Sequence, residues 1–233
     1  MELNANSKKQ LNITTSTGEY SRFAIRTHFV NAGENYFDLF EKYVVPHYQE
    51  GDIISVSEKI IALCQNRIVR REEMHVSAIA KFLSKFASHP SHGIGVGEAI
   101  KMQFAIDQVG LPKVLYASVA SGVTKLFGKK GVFYEIVGQE VSGLDGFYDH
   151  IWAEYRDIGI LIPENPSKVC DEVAEKYGMK CMIVDANDYG QEILGKSANI
   201  DLADEQLIEL IKDNPAGQGK ECTPFILIRK INS

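Results

Sequence analysis

The sequence predicts a mixed α+β fold. Short apolar runs rich in β-branched residues alternate with stretches whose apolar residues recur at helical spacing. That alternation lacks the regular βαβ rhythm of a doubly wound sheet, and the chain has no internal repeat. With 233 residues it can bury a substantial core, as one large domain or two small ones.

Taken in order, residues 1–17 are rich in Asn, Ser, Thr and Lys and read as the start of a flexible tail, drawn at 1–19, ahead of one domain over 20–233. Residues 22–27 alternate as a strand. Residues 36–48 carry Phe37, Phe40, Tyr43 and Val44 at helical spacing, with a stop near Pro46. Gly51-Asp52 signals a turn and 53–57 a strand; periodicity leaves open whether 58–65 extends that strand or begins a helix. Residues 67–73 form a charged, solvated segment, and 75–86 an amphipathic helix through Val76, Ile79, Ala80 and Leu83. The glycine-rich stretch 89–97 is a break, 98–109 a helix, 114–121 a strand or small-residue helix, and 131–137 a β-branched strand. Helical spacing returns at 147–155, then a strand at 159–162 and a helix over 168–177 introduced by Pro163 to Ser167. After Gly178 a strand leads from Cys181 towards Asp185, 204–211 is helical, 214–219 is a loop, and 224–229 is the final strand.

Composition excludes several classes. A hydrophobic fraction of 45% with 24% charged residues is ordinary for a globular domain, and a net charge of -6 argues against a nucleic-acid binder. The four cysteines are scattered without a CxxC pair, so neither a zinc knuckle nor a redox dithiol is indicated. No apolar run is long enough to span a bilayer and the N-terminus is polar, so the expected setting is cytoplasmic, with no membrane or nucleic-acid partner.

The chemistry-bearing stretch runs from Cys181 to Ser197. Its apolar strand ends in Asp185, Asn187 and Asp188, two carboxylates and an amide that suit a hard cation such as Mg²⁺ or Mn²⁺. The plainer alternative is a polar turn whose Asn and Asp satisfy local backbone groups. Two phosphate motifs fail on inspection. Between Gly122 and Gly128-Lys129 the spacer holds five residues rather than four, and Lys130 stands where a P-loop needs Ser or Thr. Gly93-Ile94-Gly95-Val96-Gly97 is GxGxG without a preceding strand, so it is no Rossmann fingerprint and reads either as a flexible turn or as a loop whose backbone approaches a ligand. His89 and His92 have no further zinc ligands in view, and no GxSxG elbow is present.

An ordered set of segments carries a family resemblance. Gly51-Asp52-Ile53-Ile54-Ser55-Val56-Ser57-Glu58-Lys59 resembles a Gly-Asp-apolar-strand-Thr-Ser-Lys signature, and Gly159 to Ser167 a Leu-Pro-Glu-Asp-Pro segment. Asn187-Asp188-Tyr189-Gly190-Gln191 falls where Asp-Thr-Phe-Gly-Arg is expected, and Thr223 to Arg229 matches a terminal strand. This set resembles the coenzyme F420-0:gamma-glutamyl ligases over most of the chain, with a divergent segment at about 89–130.

The resemblance implies a mixed sheet with helices of the gamma-glutamyl ligase type and an intertwined homodimer. It implies GTP, or another nucleotide, as co-substrate, with Mg²⁺ or Mn²⁺ at the phosphates. The reaction would join an amino acid such as L-glutamate to a small carboxylate acceptor through an acyl phosphate. By position it assigns Asp145, Asn187 and Asp188 to the metals, with Asp185 as a substitute ligand. Ser57, Lys59, Gly217, Gln218 and Gly219 fall to the nucleotide, and Lys59, Asp145 and Asp188 to catalysis. Departures are Asn187 for the family Asp, Leu63 for a second strand lysine, Tyr148 for an Asn, Gln191 for an Arg, and no Leu-Pro loop near 26–30. They keep a second expectation open, a nucleotide-binding regulatory or scaffold protein that retained the fold and lost the chemistry.

Overall fold

A computed structural model describes residues 3–87, 95–129, 131–147, 153–187, 190–217, 219 and 221–231. The chain forms two compact units, one from Met1–Asn66 with Pro163–Ser233 and one from Arg67–Ile162. The architecture is mixed α+β.

The first unit opens with a hairpin, β1 (Asn12–Thr15) and β2 (Gly18–Ile25), joined through Ser16 and Thr17. Residues 12–15 are therefore a paired strand where a flexible tail is expected. Polar β-formers alternating around buried Ile13 are what the tail reading overlooked. Helix α1 (Tyr36–Leu39) is capped by the Asn35 side chain and continues as a π-helical turn over Phe40–Val44, stopping at Pro46. Strand β3 (Ile53–Ser57) passes directly into helix α2 (Glu58–Cys64). Glu58, Ile60, Ile61, Ala62 and Leu63 are all buried, so α2 has no polar stripe and periodicity could not identify it.

The second unit holds β4 (Ile68–Arg70), α3 (Ala78–Ser84), α4 (Ala99–Val109), α5 (Leu111–Leu126), α6 (Val132–Val137), α7 (Gln139–Gly143), β5 (Asp145–Gly146) and β6 (Ile158–Ile160). Helix α4 buries six consecutive residues from Ile100 to Ala105, with α3 and α5 both packed on it. The expected strand at 131–137 is instead helix α6. Val132, Phe133 and Val137 fall on one helical face, and Phe133 and Val137 enter a core with Phe104, Val114 and Leu144, so packing overrides β-propensity. The helix expected at 147–155 is not found among the described residues: Phe147 has φ 58° and Ala153–Tyr155 is a 3₁₀ turn. The small sheet has the order β4-β6-β5 and is antiparallel.

Back in the first unit, α8 (Pro166–Tyr177) starts with Pro at its first turn and ends at Gly178 in the left-handed conformation. It leads into the hairpin β7 (Lys180–Ala186) and β8 (Gln191–Lys196), then α9 (Asp204–Ile211) and β9 (Phe225–Lys230). The six-stranded order is β1-β2-β9-β3-β7-β8, parallel at β3–β7 and antiparallel at the other pairs. One face packs Ile53, Met182, Val184, Ile226 and Ile228 against Leu207, Leu210 and Ile211 of α9. On the other, Phe40 meets Phe225 edge to face, and Cys170 of α8 lies over Gly195 of β8. Among the described residues no helix is long and apolar enough to cross a membrane.

Candidate functional site

The strand order puts β9, β3 and β7 side by side, and a cleft of about 60 Å³ opens on the first unit where they meet the loop before β9. β3 contributes Ser55 and Ser57, and β7 contributes Val184 and Ala186. The loop and β9 contribute Ala216, Gly217, Pro224 and Ile226. Alternate residues share a strand face, which is why Ser55 and Ser57 open together while Val56 is buried opposite. The cleft has room for a few water molecules, so it suits one compact group such as a phosphate with the rest of a ligand outside. Among the described residues the lining carries no charged side chain. Its polar groups are hydroxyls and backbone.

Several contacts hold this rim in place. Ser57 N–H donates to Pro224 O at 2.9 Å, fixing the end of β3 against the start of β9. Asn6 Nδ2 donates to Pro215 O, Ala216 O and Thr223 Oγ1 at 2.8–3.0 Å, so the N-terminal segment anchors the loop. Thr223 Oγ1 in turn donates to Ala216 O at 2.9 Å. Gly217 has φ 77°, a conformation that favours glycine, and its N–H donates to Asn214 O. Gly219 N–H donates to Glu221 Oε2 at 2.7 Å, so this loop already directs an amide at an anionic oxygen. Neither Asn6 nor Ser55 was singled out in the sequence. The Asn-rich start was a usable sign, since an asparagine amide offers two donors to a loop.

Of the residues expected from sequence, Ser57 and Gly217 come together in the cleft, and Gly219 lies on the same loop. Ser57 is the N-cap residue of α2, yet its hydroxyl makes no capping bond. Lys59 lies in helix α2, which settles as helical the 58–65 stretch that periodicity leaves open. Its ammonium lies 2.8 Å from the carboxylate of buried Glu58. Asp185 stands between cleft-lining Val184 and Ala186, so its side chain leaves the opposite face, across from Glu192 of β8. Asn187 closes the β7–β8 turn: its Oδ1 accepts Gly190 N–H at 3.1 Å and its N–H donates to Gly190 O at 3.0 Å. That is the polar-turn alternative for this residue. Asp188 and Gln218 lie outside the described residues, as do His89, His92 and Tyr148.

Asp145 belongs to the second unit, on β5 opposite Ile160. Its Oδ1 accepts Gly146 N–H at 2.9 Å, and buried Lys101 donates to Leu144 O at 2.7 Å and Ser142 O at 3.1 Å, clamping the approach to it. Gly146 has to be glycine, because a Cβ there would lie 2.5 Å from Ile158 O. Among the described residues no group of three or more His, Cys, Asp or Glu is arranged to hold a metal ion. Thiol chemistry has no support at two of the cysteines. Burial, with a smaller contribution from Glu34, pushes the Cys64 thiol up to about 12; a hydrogen bond with Cys170 and burial raise Cys181.

No family model and no curated protein matches the chain. The functional reading therefore rests on the cleft, the loop and the ordered segments of the sequence.

Proposed function

We propose that this chain is a nucleotide- and divalent-metal-dependent ligase of the gamma-glutamyl type, acting as a homodimer. It would join an amino acid such as L-glutamate to a small carboxylate acceptor. The carrying observation is the Ser57 hydroxyl, which its own helix leaves uncapped and which opens beside Gly217 from the far end of the chain. A hydroxyl, a neighbouring serine and a glycine-bearing loop suit a phosphate, which would have to displace the loop's own Glu221 carboxylate from Gly219 N–H. Amide formation in water is uphill, so the acceptor carboxylate first takes the terminal phosphoryl group of GTP or another nucleotide, releasing the diphosphate. The amine then attacks the acyl phosphate and displaces phosphate. In this reading the cleft holds phosphoryl oxygens and excludes water, the main tasks a protein has in phosphoryl transfer.

Bound Mg²⁺ or Mn²⁺ would neutralise phosphate charge. Asp185 and Asn187 do not fit that role, one by its direction and the other by its engagement in a turn. The resemblance leaves Asp145, whose carboxylate accepts Gly146 N–H, as the expected ligand. The same two misfits favour a second reading, a protein that binds a nucleotide and catalyses nothing.

Calorimetric titration with GTP and ATP, each with Mg²⁺ or Mn²⁺, tests the proposal. Ser57→Ala should weaken binding by about 0.5–1.5 kcal/mol, the worth of one hydrogen bond, and leave the melting temperature of the free protein almost unchanged. Absence of binding to either nucleotide at millimolar concentration would overturn both readings. Binding without phosphate release in the presence of glutamate and carboxylate acceptors would select the second.

A further inference from the structure

Helix α5 carries its large side chains on the wrong side for a surface helix. Its inward face is made of Val114 and Ala117, both fully buried, with half-buried Ser118 and Ser121. Its outward face, with the residue that follows it, carries Leu115, Tyr116, Val119, Val123, Leu126 and Phe127, from 43% to 85% exposed. An ordinary surface helix shows the reverse, an apolar stripe inward and a charged face outward. Together with Pro112 and Gly122, these residues recur at the a, d and e spacing of a helix-packing seam.

We infer that this outward face of α5 is where two copies of the chain pack together. The six side chains expose roughly 600–800 Å² of mostly apolar surface, taking about 150–200 Å² as the full area of each. That exceeds the largest apolar patch of a typical monomer, ~300–600 Å², and approaches the ~800 Å² per partner of a standard interface. Two copies meeting on a two-fold axis would bury roughly 1,300 Å² from α5 alone, within the range of stable dimers.

Charge and shape favour a copy of the same surface. No charged residue lies in sequence between Lys113 and Lys125, so self-pairing along the seam buries no charge. At Gly122, in the middle of the stripe, even an added Cβ would meet nothing within 4 Å, which lets a facing helix come close. A membrane-surface helix would instead need a basic, solvated opposite face, and here that face is core. The inference deepens the homodimer of the proposed function by placing its seam on the second unit, and its failure is distinguishable from failure of the ligase reading because nucleotide titration tests the first unit's cleft on its own.

Light scattering coupled to size exclusion, with the protein at about 10 μM, should give twice the 26.0 kDa chain mass. Val119→Glu with Leu126→Glu should halve it while leaving the circular dichroism spectrum intact. Because a separated subunit can fail to fold, Val119→Cys supplies a second readout. Val119 is the midpoint of the 112–126 stripe, so mild oxidation should join the two copies through that position, identified by peptide mass spectrometry. The cross-link in the native protein supports the seam even where the charged variant unfolds. A monomeric native protein overturns it, as does a dimer that survives both charges without a Val119→Cys cross-link. So does flotation of the monomer with anionic phosphatidylserine vesicles.

Discussion

Removing the Asp52 carboxylate should unlock the central sheet. Asp52 is 2% exposed and stands just before β3, while Arg229 is near the end of β9, one position beyond the Ile53–Ile228 pair. Arg229 Nε donates to Oδ1 at 2.8 Å and Nη2 to Oδ2 at 2.7 Å, a two-point clamp; Gln49 N–H also donates to Oδ2 at 2.8 Å. Arg229 Nη2 reaches His47 O as well, at 3.0 Å. Breaking a buried pair by deleting one member costs about 3–5 kcal/mol, because the other charge stays behind. The Arg229 side chain is 25% exposed and recovers some hydration, so about 2–4 kcal/mol is expected for Asp52→Ala. For a chain of this size that corresponds to a fall in Tm of roughly 6–12 °C at the middle of the range. Thermal melts followed by circular dichroism at pH 7 provide the measurement, with Arg229→Met and the double variant completing a cycle. The clamp secures the end of β3 away from the cleft, and the Ser57–Pro224 bond secures the other. Nucleotide affinity should therefore survive at temperatures where the variant is still folded. A change in Tm of less than about 2 °C would refute the reasoning, since it would mean that neither group is desolvated at a net cost.

Two further outcomes follow from the same unit. Burial tends to raise the Asp213 carboxyl, but hydrogen bonds and charge from Arg22 hold it below its usual value of 3.8. Its stabilisation is therefore complete above the ordinary carboxylate range and is lost as pH falls through the folded-state value; native melts should decline below about pH 4 more steeply than those of Asp213→Asn, and parallel curves would count against the pair. Gly195→Ala places a Cβ 2.3 Å from Ser167 N and 2.6 Å from Pro166 C, so α8 must shift on β8. Urea unfolding should show a loss of about 1–3 kcal/mol, and an unchanged midpoint would mean that α8 yields freely.

Elements whose local signal agreed with their packing were legible in the sequence. Strand β3 matches its turn signal and apolar run residue for residue, and α9 follows from the spacing of Leu207, Leu210 and Ile211. Helix α8 begins within two residues of its expected start because Pro166 and Gly178 mark both ends. Legibility failed where burial removes the pattern or packing overrides it. Helix α2 is apolar nearly all round, and α6 is a β-branched segment recruited into a helical core. β1 was hidden by its polar residues, which pair in a hairpin whose tip is held by Glu209 of α9 through Ser16.

The candidate site divides along the same line. Ser57 and Gly217 were legible because each sits at a strand end or glycine turn, where sequence states the backbone geometry directly. What brings them together is the order β9-β3-β7, a long-range pairing that no local pattern encodes. The oxygen-rich end of β7 shows the converse. Asp185 and Asn187 looked equivalent as ligands in one dimension, yet strand alternation turns Asp185 away from the cleft and the β7–β8 hairpin uses the Asn187 oxygen to close itself. In the proposed reading a phosphate would meet hydroxyls and backbone amides there, and any metal would arrive with the nucleotide's own phosphates.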